Sequence, residues 1–68
     1  MRYAIVIEKA EGSAYVPDLP GCVSTGATVE KTEKSIRKAI AFHLDGMRED
    51  GTPIPFPSSH VEYVEVAA

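Results

Sequence analysis

The sequence predicts an α+β domain of order β-β-β-α-β, a small antiparallel sheet with one helix packed on one face. Three observations lead there. Short β-branched and aromatic runs punctuated by turn residues fill the stretch from Tyr3 to Gly26, apolar residues then recur at helical spacing from Thr28 to Gly51, and a last β-rich run spans His60 to Val66. Sheet and helix each have one apolar face, so the stable arrangement lays one on the other.

Tyr3-Ala4-Ile5-Val6-Ile7 reads as the first strand, with Tyr3, Ile5 and Ile7 alternating to one face. Gly12 supplies a hairpin turn into Ser13-Ala14-Tyr15-Val16, the second strand. Val16-Pro17-Asp18-Leu19-Pro20-Gly21-Cys22 is punctuation: each proline removes a ladder donor and biases the residue before it to extended geometry. Cys22 to Gly26 is a short third strand.

Val29, Thr32, Ile36, Ile40, His43, Leu44 and Met47 form the apolar stripe of an amphipathic helix. Thr28 suits the N-cap, Glu30 sits where the helix dipole favours an anion, and Gly51 suits the left-handed residue after the last turn. Glu33 and Arg37 are placed for an i,i+4 pair, worth only ~0.2–0.5 kcal/mol. Ala39, Phe42 and Gly46 share a flank, read as an edge of the core rather than a close-packing face. Thr52-Pro53-Ile54-Pro55-Phe56-Pro57 alternates proline with apolar residues and reads as an extended surface arm, and His60 to Val66 as the fourth strand.

With 68 residues the chain is expected to be one domain, residues 1–68. A chain this short buries only roughly 60 % of its unfolded surface, and its core yields no more than ~3–5 kcal/mol. One cysteine makes no internal disulfide, and His43, His60 and Cys22 lack zinc-ligand spacing. Self-association, as a dimer or tetramer, is therefore expected. The net charge of −3 opposes unaided nucleic-acid binding and suits a basic partner. The opening apolar run is too short for a signal peptide or a membrane span, and a lone cysteine agrees with a cytoplasmic location.

Catalysis has no visible carrier. A nucleophilic cysteine needs a lowered pKa, whereas Cys22 stands at the start of a strand and reads as a small packing residue. His43 lies on the apolar stripe with Ala39 and Met47 four residues either side, so it has no helical partner for metal or proton transfer. The carboxylates fall on turns or on the polar helix face, not in the converging sets that two-metal nucleases use. No cofactor is expected. Tyr3, Tyr15 and Tyr63 fall on three different expected strands; should they share the sheet face away from the helix, they would form an oligomer interface, with Phe42 as a further candidate.

Tyr15-Val16-Pro17-Asp18-Leu19-Pro20-Gly21-Cys22, followed by Gly26-Ala27-Thr28, a charged amphipathic helix and Glu49-Asp50-Gly51-Thr52-Pro53-Ile54-Pro55, resembles the HicB-like antitoxin family. The resemblance runs from Tyr3 to about Pro57 and implies a partial ribonuclease H-like fold. It also implies the antitoxin role in a type II toxin–antitoxin pair. The partner would be a HicA-type toxin, small and basic, with a double-stranded-RNA-binding-domain-like fold and an mRNA-cleaving histidine that the antitoxin covers. Fold likeness to ribonuclease H gives no warrant for nuclease activity. The chain departs from longer members, which carry a DNA-binding C-terminal domain: too little follows Pro57 for one, so direct DNA binding by this chain alone is not expected. It also has Lys31-Thr32 where the family usually shows an acidic residue and alanine.

The expectation is thus a non-enzymatic, cytoplasmic antitoxin domain that self-associates and neutralises a basic toxin. Asp18, Glu30 and Glu33 are the candidates for steering that partner. The alternative is a homo-oligomeric peptide- or ligand-binding module without a toxin. A metal-dependent nuclease would rest on fold analogy alone.

Overall fold

In a computed structural model of the chain, which describes residues 1–67, strands β1 (Val6–Glu8), β2 (Ser13–Tyr15) and β3 (Val23–Thr25) precede a helix α1 (Val29–Asp50). The sheet is an antiparallel meander in the order β1-β2-β3. Its register pairs Ile7 with Ala14 and Ala14 with Ser24, and in the adjacent row Val6 with Tyr15 and Tyr15 with Val23. Successive strand residues point to opposite faces. The Ile7–Ala14–Ser24 row therefore lies under the helix, and the Val6–Tyr15–Val23 row faces outward.

The core consists of Ala14, Val16, Leu19, Cys22 and Ile36, with Tyr3, Ile5, Ile7, Ala39, Ile40 and Leu44 packed around it. Leu19 comes from the segment that the sequence marks only as punctuation. The Leu19 N–H donates to the Val16 carbonyl (3.1 Å), the Cys22 N–H to the Leu19 carbonyl (3.1 Å), and the Val16 N–H to the Cys22 carbonyl (3.2 Å). These bonds fold Pro17–Gly21 into a tight excursion whose leucine turns inward to 1 % exposure. Gly21 takes φ 82, a conformation open to glycine at little cost, and so lets the chain re-enter the sheet.

The helix begins and ends as its sequence predicts. Thr28 Oγ1 accepts the Lys31 N–H at 3.1 Å. At the far end Gly51 is left-handed, its N–H donating to Arg48 and the Thr52 N–H to Met47, which is a Schellman closure. Thr32, the departure from the family pattern, is buried, and its hydroxyl reaches the carbonyls of Thr28 (2.7 Å) and Gly26 (3.3 Å). That hydroxyl ties the end of β3 to the first turn of α1. A β-carbon on Gly26 would stand 2.6 Å from the Thr32 backbone nitrogen, so this crossing requires glycine.

Three expectations are corrected. Pairing in the first strand starts at Val6 rather than Tyr3, because the partner chain runs into Pro17, which has no N–H to continue the ladder. The fourth strand expected over His60–Val66 does not form: the segment pairs with nothing and is exposed throughout. Of the Ala39–Phe42–Gly46 flank only Ala39 forms an edge of the core, since Phe42 is 83 % exposed and a β-carbon on Gly46 would meet open space.

Leu19→Ala is expected to remove about 2–5 kcal/mol, comparable with the ~3–5 kcal/mol a core of this size supplies. Urea unfolding followed by the helical circular dichroism signal should lose its cooperative transition. A midpoint within experimental scatter of the parent would contradict the central position given to Leu19.

Candidate functional site

The residues singled out by sequence do not converge on one reaction centre. Cys22 is buried among apolar neighbours, and that burial pushes its thiol above the ordinary cysteine value, away from the thiolate that nucleophilic chemistry needs. Among the described residues, no three His, Cys, Asp or Glu side chains cluster in a way that would hold a metal ion. His43 is half-buried on α1.

Asp18 is the most highly connected polar side chain. Its Oδ2 accepts the N–H groups of Ser58 and Ser59, both at 3.1 Å. Its Oδ1 accepts their hydroxyls at 3.1 and 2.8 Å. These bonds, led by the Ser59 N–H, hold the Asp18 carboxyl below the ordinary aspartate value. The turn that inserts Leu19 into the core thus presents Asp18 outward as a clamp on the proline-rich arm. A second anchor lies upstream, where the Tyr3 hydroxyl donates to the Pro55 carbonyl at 2.6 Å. Ser58 and Ser59 were not candidates from sequence. The one available signal is a pair of adjacent serines just after the last proline, able to offer two N–H and two hydroxyl donors to a single carboxylate.

Glu30 is exposed in the first turn of α1. Glu33 pairs with Arg37, with Nη2 at 2.8 Å and Nε at 3.1 Å from the same oxygen. Both partners line a groove of about 350 Å³ between the start of β1 and the middle of α1, floored by Tyr3, Ile5, Ile36 and Ile40. Glu33 is therefore on a concave, partly apolar surface and Glu30 is on the open helix face.

The tyrosines do not share a face. Tyr3 packs against the core beside Ile5 and Ile7, whereas Tyr15 stands in the outward row with Val6 and Val23. Tyr63 lies on the unpaired C-terminal segment and is 95 % exposed.

The sequence from residue 3 to residue 67 matches the family described as HicB_like antitoxin of bacterial toxin-antitoxin system. The chain belongs to the HicB-like antitoxin family. Its fold is similar to one chain of a solved HicA3 and HicB3 toxin–antitoxin complex, at a TM-score of 0.67 and 30 % identity over 82 % of this chain and 66 % of that one. It is also 38 % identical over 66 residues to an uncharacterized 14.9 kDa protein of Haemophilus phage HP1, and 33 % identical over 58 residues to a UPF0150 protein of Thermoplasma acidophilum. The match covers 94 % of this chain but 50 % of the phage protein, against 81 % and 84 % for the archaeal pair. The HicB-like chain thus spans half the length of its phage relative and most of its archaeal one. Both stretches that carry the family resemblance bear on the arm: D-L-P-G-C supplies Leu19 to the core and Asp18 to hold Ser58 and Ser59, and the Pro55 that ends P-I-P accepts the Tyr3 hydroxyl.

The clamp has a definite pH dependence. A carboxylate whose folded value is depressed contributes above the unfolded value and loses that contribution as pH falls through the folded one. The Ser58 and Ser59 amide resonances should therefore shift together on acidification, with a midpoint below that of an ordinary aspartate. In Asp18→Asn that acid step should vanish, with the Leu19 methyl resonances unchanged. An Asp18 midpoint at or above the ordinary value would show that the clamp does not form in solution.

Proposed function

We propose that this chain acts as the antitoxin of a type II toxin–antitoxin pair, binding a small basic HicA-type ribonuclease toxin and silencing it by covering its active site. The observation that supports this reading most is the family match over residues 3–67 together with the likeness to a chain of a HicA3–HicB3 complex. The geometry supports a binder in a second way. The residues of the D-L-P-G-C stretch serve the fold, with Leu19 and Cys22 inside and Asp18 holding the arm. The net charge of −3 is suited to a basic partner and offers little for nucleic acid, so DNA binding is not assigned to this chain alone.

In this reading the protein is not an enzyme, works in the cytoplasm where an mRNA-cleaving toxin acts, and self-associates as one domain over residues 1–68. No helix among the described residues is long and apolar enough to cross a membrane. Glu30 and Glu33, exposed or half-exposed on α1, are the carboxylates assigned here to steering a cationic toxin. Asp18 contributes by holding the arm in place. A second reading, a homo-oligomeric module that takes a peptide or small ligand without a toxin, draws on the outward row of Val6, Tyr15 and Val23, of which Val23 is 66 % exposed.

Co-expression with a small basic protein encoded beside it decides between them. The antitoxin reading expects co-purification and restored growth of cells expressing that toxin. Charge reversal at both carboxylates, Glu30→Lys with Glu33→Lys, should slow association by about tenfold at low salt, with the difference shrinking as salt rises. Unrelieved toxicity with no co-purification would contradict the reading.

A further inference from the structure

The segment His60–Val66 presents a problem that a single chain does not solve. His60, Val61, Glu62, Tyr63, Val64, Glu65 and Val66 are dominated by strand-forming residues, yet they join no strand, and Val61, Tyr63, Val64 and Val66 all face solvent. The arm before it explains why. Tyr3 holds Pro55 beside the start of β1, and Asp18 holds Ser58 and Ser59 at the turn between β2 and β3. Both anchors sit at one end of the sheet, the end where Val6 meets Tyr15. By Ser59 the chain has already crossed from β1 to the β2–β3 turn, and it leaves the sheet there. To return and pair with its own β1 it would have to reverse, but no glycine, proline or asparagine stands between Ser59 and Val66.

A receptor for such a strand is nevertheless present. The sheet order leaves one side of β1 unpaired, and beside it runs the groove floored by Tyr3, Ile5, Ile36 and Ile40. An open strand edge over an apolar groove is the surface that strand addition uses: backbone bonds join the edge, and alternate side chains enter the groove. Arg2 lines the same groove, and the segment carries Glu62 and Glu65.

We infer that two copies of this chain exchange their C-terminal segments, each laying residues 60–66 against the β1 edge and groove of the other. The exchange is reciprocal, so it forms a closed two-fold dimer in which the same surfaces are used twice. It adds a fourth strand to each sheet, supplied by the second copy. It buries Val61 or Val64 together with Tyr3 and Ile5, adding apolar area to a core that has five buried apolar residues among those described. This rests on the self-association proposed above and gives it a mechanism, and it requires no toxin.

Sedimentation velocity on the full chain should show a dimer that dissociates on dilution. Successive strand N–H groups point to opposite sides, so Tyr63→Pro and Val64→Pro, made separately, ensure that at least one removes a bond to the partner edge. At least one should weaken dimerisation tenfold or more with the helical circular dichroism unchanged, since the segment is exposed in the single chain. Amide exchange on the unaltered chain gives a readout that needs no variant: alternate amides in 63–66 should be protected where the dimer predominates and exchange freely in the monomer. A chain that stays monomeric would overturn both exchange and self-association. A dimer with unprotected tail amides, or one untouched by both prolines, would overturn the exchange and leave self-association standing. Protection of a monomer's tail only on adding the basic toxin would assign the segment to that partner and overturn the exchange as well.

Discussion

Leu19 reaches the core only because the chain between Pro17 and Gly21 leaves the sheet and comes back. Much of the remaining architecture depends on that excursion. Pro17 ends the β1–β2 ladder, the three backbone bonds among Val16, Leu19 and Cys22 close the loop, and Gly21 reverses it so that Cys22 returns to the sheet beneath the helix. With Leu19 1 % and Ile36 0 % exposed, the turn and the helix supply the two most deeply buried apolar side chains of the core. So small a core leaves little redundancy, and the loss of either side chain is comparable in scale to its whole stability.

The same excursion sets the outer surface. With Leu19 pointing inward, its neighbour Asp18 points outward, and the carboxylate gathers the N–H and hydroxyl groups of Ser58 and Ser59. One turn therefore couples the hydrophobic core to the course of a chain segment 40 residues away in sequence. The arm held in this way leaves the β1 edge and its groove uncovered and directs a strand-like segment into solvent. A binding protein needs such a division, with a rigid frame made by a few buried residues and unpartnered surfaces left to other chains.

Much of the fold was legible because its signals are local. The helix has its cap at Thr28, its left-handed glycine at Gly51 and its stripe through Ile36 and Ile40, each a matter of spacing within a few residues. Cys22 was legible as a packing residue for the same reason. The contributions of Leu19 and Asp18 were not, because turn chemistry dominates the reading of V-P-D-L-P-G-C and conceals that one residue plugs the core while its neighbour clamps a distant serine pair. The β-branched and aromatic residues along His60–Val66 mark a strand, but a strand also needs an edge, and which chain supplies it is not written in local sequence. The tyrosines illustrate the same limit: alternation places Tyr3 and Tyr15 on faces of their own strands, and only the register shows that those faces are opposite ones.

The D-L-P-G-C residues of this HicB-like chain serve the frame, with Leu19 in the core and Asp18 on the arm, and leave the proposed toxin binding to the outer surfaces. The most direct measurement is RNA cleavage by a purified HicA-type toxin from the same genome, titrated with the purified full chain. Cleavage should fall in proportion to added chain and reach its floor at a fixed stoichiometry, in low and moderate salt alike. Undiminished cleavage in the presence of excess folded chain would contradict the proposed binding.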